Sequence, residues 1–394
     1  MQKATTQQVK QHNQSLVLQA IYRQETISRA AIARQTGLTR PAVSQIVGEL
    51  MKAGLVAEVG RGKSSGGKRP TLLSLVADAY NVIGVDIGGI STTGAVTDLR
   101  GRILTRASRP MDRRGGEAAI DTLCAVLDTL VAGASSPLLG IGVSTPGLVD
   151  PAGGIVRYAA NLRWQDFDLK SRLQERYSVP VYVANDTNLA ALGERFFGAG
   201  CGVSNMIIVM IGAGIGAGVI INDEIYHGSD GAAGEIGHIP LVLEDGIPCA
   251  CGRRGCLETV ASERAMLARA QRLAAEHPDS LLNALSSPDV SGEMVVRAVE
   301  AGDATALALV QEIGNYLGLA VAILVNILNP QRVVIGGSLA GLGEPLLAAI
   351  RQTVQERALP LLSKDVEIVP SSLGSDVSIL GAVAQVLTQE LGIV

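Results

Sequence analysis

The chain has 394 residues, 47% of them hydrophobic and 18% charged, with a net charge of −4. This profile excludes a disordered protein and a single small core, and two or three globular domains are expected. Five cysteines in so long a chain exclude a disulfide-built scaffold, and the polar start MQKATTQQVKQHNQ does not read as a secretory leader, so a reducing cytoplasm is expected.

The charge is unevenly spread. Residues 1–80 hold eleven Lys/Arg against four Asp/Glu, and the remainder is acidic. A basic head on an acidic body points to a polyanion partner for the head. Within SLVLQAIYRQ, Leu16, Ala20 and Ile21 fall near one helical face, with Val17 adjoining. Ser28 is a good N-cap for a short helix through Gln35, which Gly37 breaks. Thr39 caps a second helix with Arg40 and Pro41 in its first turn and Val43, Ile46, Val47 and Leu50 as its apolar stripe. Helix, glycine turn, helix is the helix-turn-helix pattern, and Arg40, Ser44 and Gln45 stand where recognition helices meet base edges. Between the apolar runs LVAEV and TLLSLV lies GRGKSSGGKRP, which reads as the wing of a winged helix. Its Arg61, Lys63, Lys68 and Arg69 would lie along phosphates or in a minor groove.

From Asn81 the composition changes. NVIGVDIGGISTTGAVTDLRGRIL reads as strand, glycine turn, strand, turn, strand, and MIIVMIGAGIGAGVIINDEIYHG repeats it from Met206. An offset of 124 residues matches Gly88 with Gly212, Gly94 with Gly218 and Asp98 with Asn222. Two lobes each headed by such a hairpin form the actin-like and sugar-kinase plan, in which glycine turns bring backbone N–H groups to phosphate. CACGRRGCLE supplies Cys249, Cys251 and Cys256, and His238 ends GEIGH. Four such ligands close a tetrahedral zinc site with no open position, so the metal is expected to be structural. The apolar segment LGLAVAILVNIL, about a dozen residues, reads as a buried helix too short to span a bilayer.

Taken together, DIGG at Asp86, STPG at Ser144, ANDTNLAALGE from Ala184, IGAGIGAG at Ile211, GEIGH, CACGRRGCLE and NPQRVVIGGSL at Asn329 resemble the ROK family (repressors, open reading frames and kinases). The resemblance extends over nearly all of the chain. The basic head, with QVKQHN before its first helix and SSGGKRP in the wing, is similar to the xylose-type repressor branch.

The resemblance implies a winged helix-turn-helix over 1–80. It implies a first α/β lobe over 81–196 with a final helix from about Asp376 (376–394), and a second lobe with the zinc loop over 197–375. It also implies that Asp186 matches the catalytic base of the kinases, that Asn185, Glu235, His238 and Glu258 match sugar-contacting positions, and that Asn161 joins them. The phosphate cradle departs from pattern. The kinases carry D-x-G-G-T where this chain has Ile90, and G-T-G where it has Gly212-Ala213-Gly214. Both changes remove hydroxyl donors where phosphate should sit, although Ser91 and Thr92 could partly substitute. The expectation is therefore a cytoplasmic, homodimeric or homotetrameric repressor that binds operator DNA. A monosaccharide of the xylose, glucose or N-acetylglucosamine class would regulate it from a non-catalytic cleft, and an active ATP-dependent sugar kinase is the alternative.

Overall fold

The computed structural model describes residues 5–63, 69–111, 115–285 and 292–393. Lys68, expected on the wing, lies outside the described residues. Helix α1 (Thr6–Tyr22) begins well before Ser15. Its cap is reciprocal: Gln8 N–H donates to Thr5 Oγ1 at 3.2 Å and Thr5 N–H donates to Gln8 Oε1 at 2.8 Å. QVKQHN is therefore part of this helix and does not precede it. Val17, Leu18, Ala20 and Ile21 form its buried side, while Leu16 is only half-buried.

Helices α2 (Arg29–Thr36) and α3 (Arg40–Lys52) follow. Ala31 N–H donates to the Ser28 cap, Gly37 turns left-handed at φ 72°, and Ala42 N–H donates to the Thr39 cap. All four apolar stripe residues of α3 are buried. Strands β1 (Ile27–Ser28), β2 (Val56–Arg61) and β3 (Thr71–Leu75) form a sheet in the order β1-β3-β2, antiparallel throughout, with a bulge between Glu58 and Gly60. The head is a winged helix-turn-helix.

By compactness the chain divides into two units, residues 1–147, 152–184 and 382–394, and residues 148–151 with 185–381. In the first, five strands run in the order Val181–Asn185, Leu138–Thr145, Asn81–Ile87, Ser91–Thr97, Ile103–Pro110. In the second the order is Glu224–Ile225, Ile215–Ile221, Met206–Ile211, Arg332–Gly336, Glu367–Pro370. Each sheet thus places an antiparallel hairpin beside a parallel neighbour.

The offset of 124 holds only along the first strand of each hairpin. Ile87 pairs with Thr92 but Ile211 with Ile215, so the second turn is one residue shorter. Gly94, opposite Val85, consequently answers to Ala217 opposite Val209, not to Gly218.

The expected buried helix is longer than the sequence suggests, Ala304–Leu328 at 25 residues. Length and composition would let it cross a membrane, contrary to the expectation, but 61% of its apolar window is buried. It packs against Glu344–Arg357 at van der Waals contact, because a Cβ on Gly314 would stand 2.4 Å from that of Ala349. The last helix, Val377–Leu391, starts in the second unit and from Ala382 belongs to the first.

Candidate functional site

The second unit gathers its polar residues around the start of strand Ile215–Ile221. On one side Gly234 and Gly237 press on it so closely that a Cβ would lie 1.8 Å from Ala217 O and 2.4 Å from Ile215 O. These contacts place Glu235 and the short 3-10 turn Ile236–His238 that carries His238. The chain then returns through backbone bonds from Leu257 N–H to Ile239 O (2.9 Å) and from Leu241 N–H to Gly255 O (2.9 Å), bringing the cysteine loop beside the histidine.

One ligand atom from each of His238, Cys249, Cys251 and Cys256 lies within 4.8 Å of the others. Cys249 Sγ is 3.5 Å from His238 Nδ1, and Cys251 Sγ is 3.7 Å from Cys256 Sγ. A disulfide would need about 2.05 Å. A tetrahedral zinc, with Zn–S about 2.3 Å and Zn–N about 2.0–2.1 Å, spaces two sulfurs by about 3.7–3.8 Å and sulfur from nitrogen by about 3.5 Å. The spacings fit that ion. Burial pushes the Cys256 thiol up to about 12, with its two neighbouring thiols adding to the effect, and a cation bound beside it would favour the thiolate.

Cys256 leads directly into helix Glu258–Ala261. Glu258 Oε2 accepts from Ile215 N–H at 3.4 Å, and a Cβ on Gly214 would meet that oxygen at 2.8 Å. Crowding that strips water from Glu235, together with the charge of Glu258, raises the Glu235 carboxyl above its ordinary value, while His238 opposes the rise. On the other side of the strand, a Cβ on Gly216 would lie 2.9 Å from Thr187 Oγ1. This contact brings in helix Asp186–Phe197. Asn185 is its N-cap, accepting from the N–H groups of Thr187 and Asn188 at 3.0 Å each. Asp186 Oδ1 accepts from Thr187 N–H at 2.7 Å and from Asn185 Nδ2 at 2.9 Å. A carboxylate in the first turn of a helix is favourably placed toward the helix dipole.

Five of the six expected sugar residues therefore surround one strand end. The sixth, Asn161, is exposed on the 3-10 turn Ala160–Leu162 of the first unit. In the same unit Ile90 is 88% exposed at the tip of the first glycine turn. Thr92 is fully buried and its hydroxyl has no partner among the described residues, so it does not stand in for a phosphate-facing threonine. Burial raises the Asp86 carboxyl above its usual range against the Ser144 hydroxyl, which donates to it.

Three residues that the sequence reading left aside act on the second glycine loop. Glu263 N–H donates to Gly212 O at 2.9 Å, Arg264 Nη2 donates to Ala213 O at 3.3 Å, and Ser338 Oγ donates to Glu263 Oε2 at 2.7 Å. The carboxylates of Glu258 and Glu263 thus stand beside the loop together with the Arg264 guanidinium, which is 3.8 Å from Glu258 Oε1 and bonded to Ala213 O. No spacing rule in the sequence marks these residues, because Ser338 is 75 positions from Glu263.

In the head, Thr39, Arg40, Ser44 and Gln45 are exposed along the N-terminal half of α3, and Arg61, Lys63 and Arg69 are exposed on the wing. Gln45 is held by Glu49 at 3.2 Å, and Glu49 in turn by Lys10 at 3.0 Å.

Residues 82–389 match the ROK family and residues 11–68 the MarR family. The chain is 37% identical over 389 residues to a xylose repressor of Bacillus spizizenii, covering 98% of this chain and 97% of that one. It is 40% identical over 315 residues to a glucokinase of Halalkalibacterium halodurans, covering 95% of the glucokinase but 78% of this chain. The crystal structure of a ROK family transcriptional regulator, a homologue of the Escherichia coli MLC protein, matches with a TM-score of 0.86 at 28% identity over 98% of both chains. The chain belongs to the ROK family, with a MarR-like winged helix-turn-helix in front of the sugar-kinase-like fold.

Proposed function

We propose that this protein is a cytoplasmic transcriptional repressor whose hold on an operator is set by a monosaccharide that it binds without phosphorylating. The observation that carries the reading is the exposed start of α3 at the head of a chain that a xylose repressor matches from end to end, where the glucokinase match leaves a fifth of it uncovered. Thr39, Arg40, Ser44 and Gln45 would meet base edges and nearby phosphates, with Arg61, Lys63, Lys68 and Arg69 on the backbone or minor groove. Gln45 must leave Glu49 to do so.

In the body, Asn185, Asp186, Glu235, His238 and Glu258, with Asn161, would hold sugar hydroxyls, since carboxylates and amides fix a polyol by directional bonds. His238, Cys249, Cys251 and Cys256 would hold a structural zinc that fixes the loop leading to Glu258. Bound there, the metal supplies rigidity and not chemistry. Asp186 would accept a hydroxyl proton in a kinase. Here Ile90, exposed where the kinases carry a threonine, and Ala213, in place of the threonine of the second loop, support a site that no longer seats ATP. Paired heads in a homodimer or homotetramer would read half-sites about 34–36 Å apart, so a sugar that prefers one conformation shifts occupancy.

The test screens D-xylose, D-glucose and N-acetyl-D-glucosamine against zinc-replete protein by calorimetry. An operator selected from random duplex DNA is then titrated with and without the hit. One of the three sugars is expected to bind and to change operator affinity, with no ADP released from ATP. Turnover above about 1 s⁻¹ would install the kinase in its place.

A further inference from the structure

Glu194 closes the motif that opens with Asn185 and Asp186, yet it lies two turns further along the same helix and faces no ligand. It is fully buried. Its carboxylate accepts from Ala199 N–H (2.6 Å), Ser371 Oγ (2.5 Å), Ser372 N–H (3.1 Å) and Leu373 N–H (3.3 Å). With Ser372 Oγ at 3.4 Å the carboxylate accepts from five donors, and such a buried acceptor is a rigid joint, because moving either segment strips hydrogen bonds that water does not replace. It ties helix Asp186–Phe197 to the segment that leads into helix Val377–Leu391.

The same two helices meet again with no side chain between them. A Cβ on Gly193 would lie 2.4 Å from Val377 O, and one on Gly381 only 1.7 Å from Leu189 O. Helix Val377–Leu391 then continues unbroken into the first unit, where a Cβ on Gly142 would lie 2.2 Å from Ala382 O. Gln385 Oε1, midway along it, is buried and has no hydrogen-bond partner among the described residues. At its far end Gly392 O accepts from Gln19 Nε2 of α1 at 2.9 Å, and a Cβ on Gly392 would meet Ser15 Oγ at 2.2 Å. Helix α1 is the one on which α2 and α3 of the head pack, and Arg100 holds its end by lying over the Tyr22 ring at 4.9 Å.

We propose that helix Val377–Leu391 is the rod that carries sugar occupancy at Asn185 and Asp186 to the DNA-binding head, with Glu194 and the Gly193/Gly381 crossing as its input and the Gly392–Gln19 contact as its output. The proposal rests on the sugar-responsive reading above. Fifteen helical residues span about 22 Å and resist bending, so a displacement at one end reaches the other. Glu194 is in this view a positioning residue and touches no sugar.

The experiment compares the full-length wild type, Glu194→Gln, and the double variant Gln19→Ala/Gly392→Ala, using D-xylose, D-glucose and N-acetyl-D-glucosamine at millimolar concentration. Sugar affinity is read by calorimetry, operator affinity with and without sugar by anisotropy, and backbone protection by hydrogen exchange. A change in operator affinity of about 5–150-fold with sugar is expected for the wild type and below about 3-fold for the double variant, with sugar affinity and sugar-free operator affinity held. Glu194→Gln should lose the response likewise, and in the wild type sugar should alter protection in both residues 382–391 and α1. A wild-type response kept in full by both variants would overturn the coupling alone. A wild type indifferent to all three sugars would remove the effector reading and the coupling with it.

Discussion

Replacing Gly234 by Ala tests how the site is held. Gly234 has φ +94°, and an added Cβ would lie 1.8 Å from Ala217 O, where ordinary contact begins at 3.4 Å. The loop must retreat by about 1.6 Å, which also strains the 2.8 Å bond from Ala217 N–H to Gly234 O. The left-handed backbone costs about 1–2 kcal/mol and the overpacking about 1–3 kcal/mol, or about 2–5 kcal/mol together. The next residue is Glu235 and the fourth is His238, whose bond to the proposed zinc would tolerate about 0.2 Å. Gly252→Ala is the matched control: φ is +85°, but nothing lies within 4 Å, so only the backbone term of about 1–2 kcal/mol applies. The assay measures zinc per chain after dialysis against a competing chelator, urea unfolding, and sugar binding by calorimetry. Gly234→Ala should lose both zinc and sugar affinity while Gly252→Ala keeps most of each. Equal behaviour of the two variants would refute the claim that this contact positions the site.

Two further outcomes are expected. Cys251→Ser should release zinc and abolish the sugar response while operator binding by the head persists, and metal content unchanged on elemental analysis would remove Cys251 from the ligand set. Arg40→Ala should weaken operator binding by about 1–3 kcal/mol in an anisotropy titration, if the guanidinium reads a base. An unaltered affinity would take Arg40 off the contact surface.

Much of the head was legible because its signals are local. Ser28, Gly37, Thr39 and the stripe from Val43 to Leu50 sit where caps and a 3.6-residue period put them. The start of α1 escaped for a related reason: its first turns are polar and exposed, so only the reciprocal cap of Thr5 with Gln8 announces them. The cluster of His238 with Cys249, Cys251 and Cys256 was legible because three of the four residues come from one loop. What lay outside reach was long-range. The one-residue difference between the two glycine turns appears only in strand register, and a constant offset hides it. Glu194 sat inside a recognised motif with no role, since its partners Ser371 to Leu373 follow some 177 residues later. Glu263 and Arg264 likewise acquire meaning only when the chain folds them onto Gly212 and Ala213.

The orientation of one ring has a consequence for selectivity. With Nδ1 of His238 turned toward Cys249 at 3.5 Å, an ion held by the cluster leaves the imidazole proton on the far nitrogen. That nitrogen can then only donate, and whatever meets it must offer a lone pair. If His238 meets the sugar as proposed, neutral hydroxyls and acetamido carbonyls would qualify there, while the ammonium of a free amino sugar, with no lone pair to give, would not.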